Sequence, residues 1–309
     1  MSLQRDILSP VTTAGMLYPD LHTKIVQIAM PNMVSRQFFQ PYVLRGSNSV
    51  TFPKQSGSTG AVVQRIAEGT EIPLDVTPYT SVNVVPYKIA HGFLITQETI
   101  EDSLIPVQAD QLARAALRFA NKIDKDCISA IGAGTGSSVA ASGKSLAFDG
   151  TEFVISGSGG PGIGTYDIID AKNKIEAYEY IPNTLLVHPY GKGHIEKLPH
   201  FTSLAHYGEP ILQEGMIQVP GKFGDILGLD AFSSTNCPTG SAYILSRGAT
   251  TNILGQYSPM GMFVERRGIT TKLKALPERD SVGVYITERY APVVLKGECI
   301  CAIAGINVS

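Results

Sequence analysis

The longest regular pattern in the chain runs from Pro106 to Ile131, where apolar residues recur at Leu112, Ala116, Phe119, Ile123 and Cys127 in steps of four and three. That period belongs to a helix with one buried face. Pro106 suits a first-turn position, where its missing N–H costs nothing, and Gly132 suits the stop. The spacing predicts a helix over 106–131, a rod of roughly 39 Å at about 1.5 Å per residue. Asp110 with Arg114 and Lys122 with Asp126 are i,i+4 pairs expected on its exposed side. Upstream, Thr96 suits an N-cap, and Glu98, Glu101 and Asp102 place negative charge in the first turns.

Before the rod the pattern changes to period two. Ser49 to Ile66 reads as strand, turn and strand, with the tip of a hairpin at Ser56 to Gly60. An isolated hairpin is marginal in water, so this one is expected to lean on a neighbour. The following AEGTEIPLDVTPY is kept extended by Pro73 and Pro78. Thr80 to Ile95 resumes as strand, with Pro86 placing it at an edge or bend. Residues 1–45 show no sustained period, a short helix near Leu21 to Met30 apart; Phe38, Phe39 and Tyr42 are scattered among prolines. Such an arm is expected to lie across another surface.

The second half alternates. A helix near Tyr166 to Tyr178, a strand at Thr184 to Val187 and a short helix at Gly191 to Leu198 precede strand-rich sequence around Met216 to Ser234 and Ser241 to Ser246. More strands occupy Ile269 to Val308. The architecture reads α+β, with an alternating region at 151–255 inserted between strand-rich parts.

Composition narrows the function. The 309 residues are 43% hydrophobic and only 17% charged, enough for a sizeable core in one or two domains. A net charge of −2 creates no overall field for nucleic acid or an anionic membrane, although a local basic face is compatible with it. The four cysteines, Cys127, Cys237, Cys299 and Cys301, form no C-x-x-C pair and no disulfide scaffold; Cys299 and Cys301 are expected as small apolar groups on one strand face. The first residues lack the apolar stretch of a secretory signal, and no apolar run approaches a membrane span, so a reducing cytosol is the expected compartment.

Each chemical motif is weak. Gly157, Gly159 and Gly162 satisfy G-x-G-x-x-G, but Pro161 interrupts the turn and the next strand ends in His188 rather than an acid. Gly143-Lys144-Ser145 lacks the glycine five positions earlier that a phosphate loop needs, Ser138 standing there. His188, His194, His200 and His206 are six apart, a spacing that does not share a helix face. Arg266-Arg267 and Arg114, Arg118, Lys122 and Lys125 are basic clusters that read as solvated faces or weak phosphate contacts. No catalytic residue, cofactor or metal is expected.

The order of parts is specific where the motifs are not. The arm, the hairpin, Ala67-Glu68-Gly69 with Pro73, the strand ending KIAHGFLIT, the acidic ETIEDS and the long helix closing in GAGTG resemble the major capsid protein of tailed bacteriophages and related archaeal viruses, the Hong Kong 97-type fold. YDIIDAKNKIEAYEY with TLLVHPYGKGHIEKL, and later GVYITERYAPVVLKGE with Glu288, Arg289 and Pro292, agree with its second half.

The resemblance implies an N-terminal arm at 1–45, an E-loop hairpin at 46–85, a peripheral domain at 86–150 and 256–309 with its spine helix at 106–131, and an axial domain at 151–255. It implies a subunit that assembles in a host's cytoplasm into an icosahedral virion shell of pentamers and hexamers enclosing double-stranded DNA. Partners are further copies of the chain, a portal protein, and a separate scaffolding protein, since only about 45 residues precede the hairpin. DNA contact would be weak and non-specific, and no membrane is involved. Lys54, away from the hairpin tip, gives no reason to expect covalent crosslinking. Contacts between subunits are expected at Phe38, Phe39, Ser56, Gly57, Ser58, Thr59, Gly60, Arg65, Glu68 and Glu71. Gly-rich stretches at 132–138 and 157–164 are expected as flexible joints. The alternative is an encapsulin-type nanocompartment around cargo enzymes, against which the Pro-rich arm argues. A nucleotide-dependent enzyme using Gly157 to Gly162 is the third reading.

Overall fold

The computed structural model describes residues 33–55, 65, 68, 79–96, 98, 107–146, 152–154, 156–157, 160–198, 222–247, 249–251 and 257–307. A 3-10 turn at Ser35–Phe38 leads into β1 (Gln40–Val43), β2 (Val50–Gln55), β3 (Tyr79–Val84) and β4 (Tyr87–Thr96). Helix α1 (Val107–Ala133) precedes β5 (Ser137–Ala140), β6 (Lys144–Leu146), β7 (Glu152–Val154), β8 (Ser156–Gly157) and β9 (Gly160–Pro161). Then come α2 (Thr165–Glu176), β10 (Thr184–Val187), α3 (Pro189–Glu196), β11 (Lys222–Ile226), β12 (Leu229–Ser233) and β13 (Ser241–Leu245). A short pair, β14 (Ala249–Thr251) and β15 (Tyr257–Pro259), precedes the long β16 (Gly261–Leu276), β17 (Ser281–Val294) and β18 (Ile300–Ala304).

The apolar stripe forms α1 as its period requires. Leu112, Ala116, Phe119, Ile123 and Cys127 are all buried, with Ala115, Ala120, Ile128 and Ile131 beside them. The pairs Asp110–Arg114 (2.9 Å) and Lys122–Asp126 (2.8 Å) both form. The helix runs past Gly132 and is closed by Gly134, whose N–H donates to the Ala130 carbonyl at 2.9 Å, and by Thr135 Oγ1, which donates to the Ile131 carbonyl at 3.0 Å. Glu98 is helical, while Glu101 and Asp102 lie outside the described residues. No described helix is long and apolar enough to cross a membrane.

Two sheets share α1. One has the order β1-β16-β17-β4, with β1 parallel to β16 and the rest antiparallel. The other has the order β11-β12-β10-β13-β18-β5. Its central strand β10 is buried at all four positions, as expected of a strand covered on both faces. Leu185 and Val187 face a cluster with Ile168 and Ile175 of α2 and Ile195 of α3, whereas Leu186 faces the α1 cluster with Phe232 and Tyr243. The α1 cluster also takes Phe263, Ile286 and Tyr290 from the first sheet. Each fully buried side chain of this size stabilises by about 1.5–3 kcal/mol.

Several expectations change. Strand β2 pairs with β3 over Val50↔Val84 to Gln55↔Tyr79, so the stem's second leg is Tyr79–Val84; the expected partner at 61–66 lies outside the described residues except for Arg65. The stem packs Val50, Phe52, Val82 and Val84 over Leu44, Val264 and Ala291, on the side of the first sheet away from α1. The expected division at residues 150 and 256 cuts through the six-stranded sheet. Strand β18 lies between β13 and β5, because its apolar run Ile300–Ala304 has register partners on both sides. Cys299 and Cys301 are both buried but join different clusters, since Cys299 sits in a 3-10 turn ahead of the strand.

The glycine stretches also act differently from joints. A Cβ on Gly136 would meet the Gly297 carbonyl at 2.5 Å, and one on Gly164 would overlap the Lys144 backbone. These glycines let two backbones touch, which fixes the connection instead of loosening it.

Candidate functional site

The expected arm is anchored, from residue 33 onward, by a carboxylate that the helical pattern did not single out. Asp124 is buried in the middle of α1. Its Oδ1 accepts from the Ser35 N–H (2.7 Å) and the Ser35 hydroxyl (2.6 Å); its Oδ2 accepts from the Ser234 hydroxyl (2.6 Å) and Asn236 Nδ2 (3.0 Å). One side chain therefore joins the arm, the helix and the loop after β12. Position 124 lies on the apolar stripe, one residue after Ile123 and three before Cys127, and a charge on such a stripe is the signal that would have marked it.

Phe38 and Phe39 follow from this anchor. Both are buried within their own chain, Phe38 edge-on to Phe232 with centroids 5.2 Å apart. Their expected role in contacts between subunits is corrected: a side chain enclosed by its own subunit has no surface left for a neighbour. Arg65 and Glu68 are exposed. Ser56, Gly57, Ser58, Thr59, Gly60 and Glu71 lie outside the described residues.

Under α1 the first sheet carries polar groups. Asp126 Oδ2 accepts from the Tyr290 hydroxyl (2.7 Å) and the Tyr87 hydroxyl (3.0 Å). Burial first, and Asp126 second, raise both phenols above their ordinary range. Arg36 pairs with Glu265 at 2.9 Å and lies 4.7 Å over the Phe263 ring. Glu288 is fully enclosed, and among the described residues neither of its carboxyl oxygens has a hydrogen-bond partner. Burial pushes its carboxyl up to about 7, with Arg36 opposing and Glu265 adding to the rise.

Beyond the stem, the opposite face of β4, β17 and β16 carries exposed side chains. One row across the strands carries Lys88, Arg289 and Arg267. Further along, Tyr285 stands between Gly92 and Lys272, and then Gly283 between Leu94 and Lys274. The Tyr285 ring lies over both glycines, where a Cβ would meet it at 3.0 and 2.9 Å, so the surface stays flat. Arg267 donates to the Thr287 hydroxyl at 2.8 Å. A groove of about 710 Å³ runs over this face.

The chemical motifs resolve into structural contacts. Asp167, at the start of α2, accepts from the N–H groups of Gly164 (2.9 Å), Gly143 (3.0 Å) and Ser142 (3.0 Å). A carboxylate of the chain itself thus fills the helix N-terminus where a dinucleotide phosphate would sit, and it draws the Gly143-Lys144-Ser145 segment to the same point. His188 caps α3, its Nδ1 accepting from the Tyr190 N–H at 3.3 Å. His200 and His206 lie outside the described residues. Among the described residues no group of three or more His, Cys, Asp or Glu is placed to hold a metal ion. All four cysteines are buried, and burial pushes the Cys237 thiol up to about 12.

This combination of a long helix shared by two sheets with a stem standing on one of them has counterparts among known proteins. The family model for phage capsid protein matches residues 79–303, from the second leg of the stem to β18. The chain belongs to the phage capsid protein family. The capsid protein is similar to the major capsid protein of Staphylococcus phage phiMR11, with 25% identity over 292 residues and 93% of each chain covered. The solved capsid structure of Cyanophage P-SCSP1u has a similar fold, with a TM-score of 0.64 at 9% identity over 89% of this chain and 88% of that one. A virus-like particle from Pyrococcus furiosus is similar at TM-score 0.57 and 11% identity, over 93% and 98%. The capsid protein has the α+β, Hong Kong 97-type fold expected from the order of its parts.

Proposed function

We propose that the chain is the major capsid subunit of a tailed phage, assembling through many copies of itself into an icosahedral shell of pentamers and hexamers around double-stranded DNA. The observation that carries this reading is the family match over 79–303, which runs in one continuous stretch from the second leg of the stem through the rod to β18. In this reading β2 and β3 are the base of the E-loop and α1 is the spine helix. The β1-β16-β17-β4 sheet belongs to the peripheral domain, and the six-stranded sheet, with β5 and β18, to the axial domain. The hairpin beyond the stem, including Ser56 to Gly60, Arg65, Glu68 and Glu71, straps neighbouring subunits. Each contact can be weak, because every subunit makes several at once. A separate scaffolding protein and a portal complete the assembly, which takes place in the host cytoplasm, and the subunit performs no catalysis.

The test is negative-stain microscopy of the expressed chain with and without a scaffolding partner. Closed shells are expected; a persistent monomer or small closed dimer under all conditions overturns the reading. Shells that hold protein cargo and no nucleic acid would favour a nanocompartment. Deleting Ser56 to Gly60 is expected to impair shell formation while the subunit stays folded, and unchanged assembly would refute the strap.

A further inference from the structure

We propose that Arg36, Glu265 and Glu288 form a proton-operated latch that holds the root of the N-terminal arm, Met33 to Phe39, on the α1 side of the first sheet. The latch belongs to the single subunit, so it goes beyond the capsid reading and does not depend on it.

The cluster sets one cation between two carboxyl groups. Arg36 comes from the arm, Glu265 from β16 and Glu288 from β17. Arg36 Nη2 donates to Glu265 Oε2 at 2.9 Å, while Nη1 lies 3.9 Å from the Met33 sulfur. The other oxygen of Glu265 leans over Gly268, where an added Cβ would meet it at 2.7 Å. Register brings Glu288 to the same place. Arg267 pairs with Arg289 and Thr270 with Thr287, so β16 sets Gly268 and Ile269 together opposite Glu288.

Glu288 is fully enclosed there, without a hydrogen bond among the described residues. Its ionisation creates a buried anion whose nearest cation is the guanidinium that Glu265 already holds. Other titratable groups on this face are Asp124 and Asp126 of α1, Tyr87 and His91 of β4, and Tyr290 of β17. Asp126 holds Lys122 at 2.8 Å, and His91 stands opposite Ile286, two residues along the strand from Glu288. Moving Arg36 to Glu288 strips Glu265, and leaving it in place strands Glu288. Both strains end when the arm root lifts and water enters. The root is the part that yields, because the Ser35–Phe38 turn belongs to no strand ladder. Protons therefore close the latch, and its hold fades as the pH rises from about 4.5 through about 7.

Cys127 reports the opening. It is wholly buried in α1, with Ser35 and Arg36 beside its thiol, so lifting the root uncovers it. The test is pulsed labelling of the folded subunit with N-ethylmaleimide, read by mass spectrometry at Cys127 and at Cys301, which lies in the separate α2 cluster. Dividing the wild-type rate by that of Glu288→Gln cancels the thiol's own pH dependence. At Cys127 this ratio is expected to climb at least ~10-fold between about pH 5 and about pH 7 and then level off, while at Cys301 it stays constant. A flat ratio at Cys127 overturns the proposal. A parallel climb at Cys301 also overturns it, since the whole subunit would then be loosening. Where Glu288→Gln does not fold, Glu288→Met serves the same comparison. Glu265→Gln frees Arg36 to serve Glu288 and is expected to abolish the climb; its persistence overturns the shared cation. His91→Gln is expected to leave the climb in place, and its loss would move the titration to His91 and overturn the assignment to Glu288.

Discussion

The two faces of the β1-β16-β17-β4 sheet are built from alternate residues of the same strands, yet they obey different rules. Toward α1 stand Ile286, Glu288 and Tyr290, all enclosed; toward the outside stand Tyr285, Thr287 and Arg289, all at least partly open. On the inner face each polar group is committed to a named partner or left costly without one. On the outer face Lys88, Arg267, Lys272 and Lys274 are exposed and have no ion-pair partner among the described residues. The period of two therefore divides one strand between a face that builds the core and a face that meets solvent.

If that division is real, substitutions on the two sides must differ in kind. The largest effect is expected at Asp124→Ala, which leaves the Ser35, Ser234 and Asn236 donors without their acceptor; a loss of about 3–5 kcal/mol is expected in urea unfolding of the subunit. Ile286→Ala, on the inner face, is expected to cost about 3 kcal/mol by cavity formation in the same assay.

Glu288 tests the inner face by pH. Its carboxyl is raised to about 7, so the folded state holds a proton that the unfolded chain has released above the ordinary carboxylate range. Stability from this group is complete below about pH 4.5 and is lost as the pH rises through about 7. Relative to Glu288→Gln, wild type is expected to lose about 3 kcal/mol across that window. Parallel pH profiles for the two proteins would remove Glu288 from the account. The smallest effect belongs outside: Lys272→Ala should change subunit stability by no more than about 0.5 kcal/mol. A larger loss would mean that the outer face also serves the fold.

The α1 stripe and the wholly buried β10 were legible in the sequence because local pattern and burial coincide there. The β2–β3 pairing was not, since strand pattern marks a strand without naming its partner, and the true partner lies beyond the hairpin tip. Phe38 and Phe39 misled for a related reason. A one-turn 3-10 segment is too short to show a period, so residues buried by distant contacts read as a loose arm. The basic character of the outer sheet face was not legible either. Lys88, Arg267, Lys272 and Arg289 are scattered over three strands and converge only once the register is set.

Strand β18 carries a consequence for timing. The six-stranded sheet draws on residues 137–140, 184–187, 222–245 and 300–304, and β5 reaches the rest only through β18. A nascent chain halted at Val294 leaves β5 with no neighbour and one edge of β13 open. The six-stranded sheet is thus complete only once β18 has emerged from the ribosome.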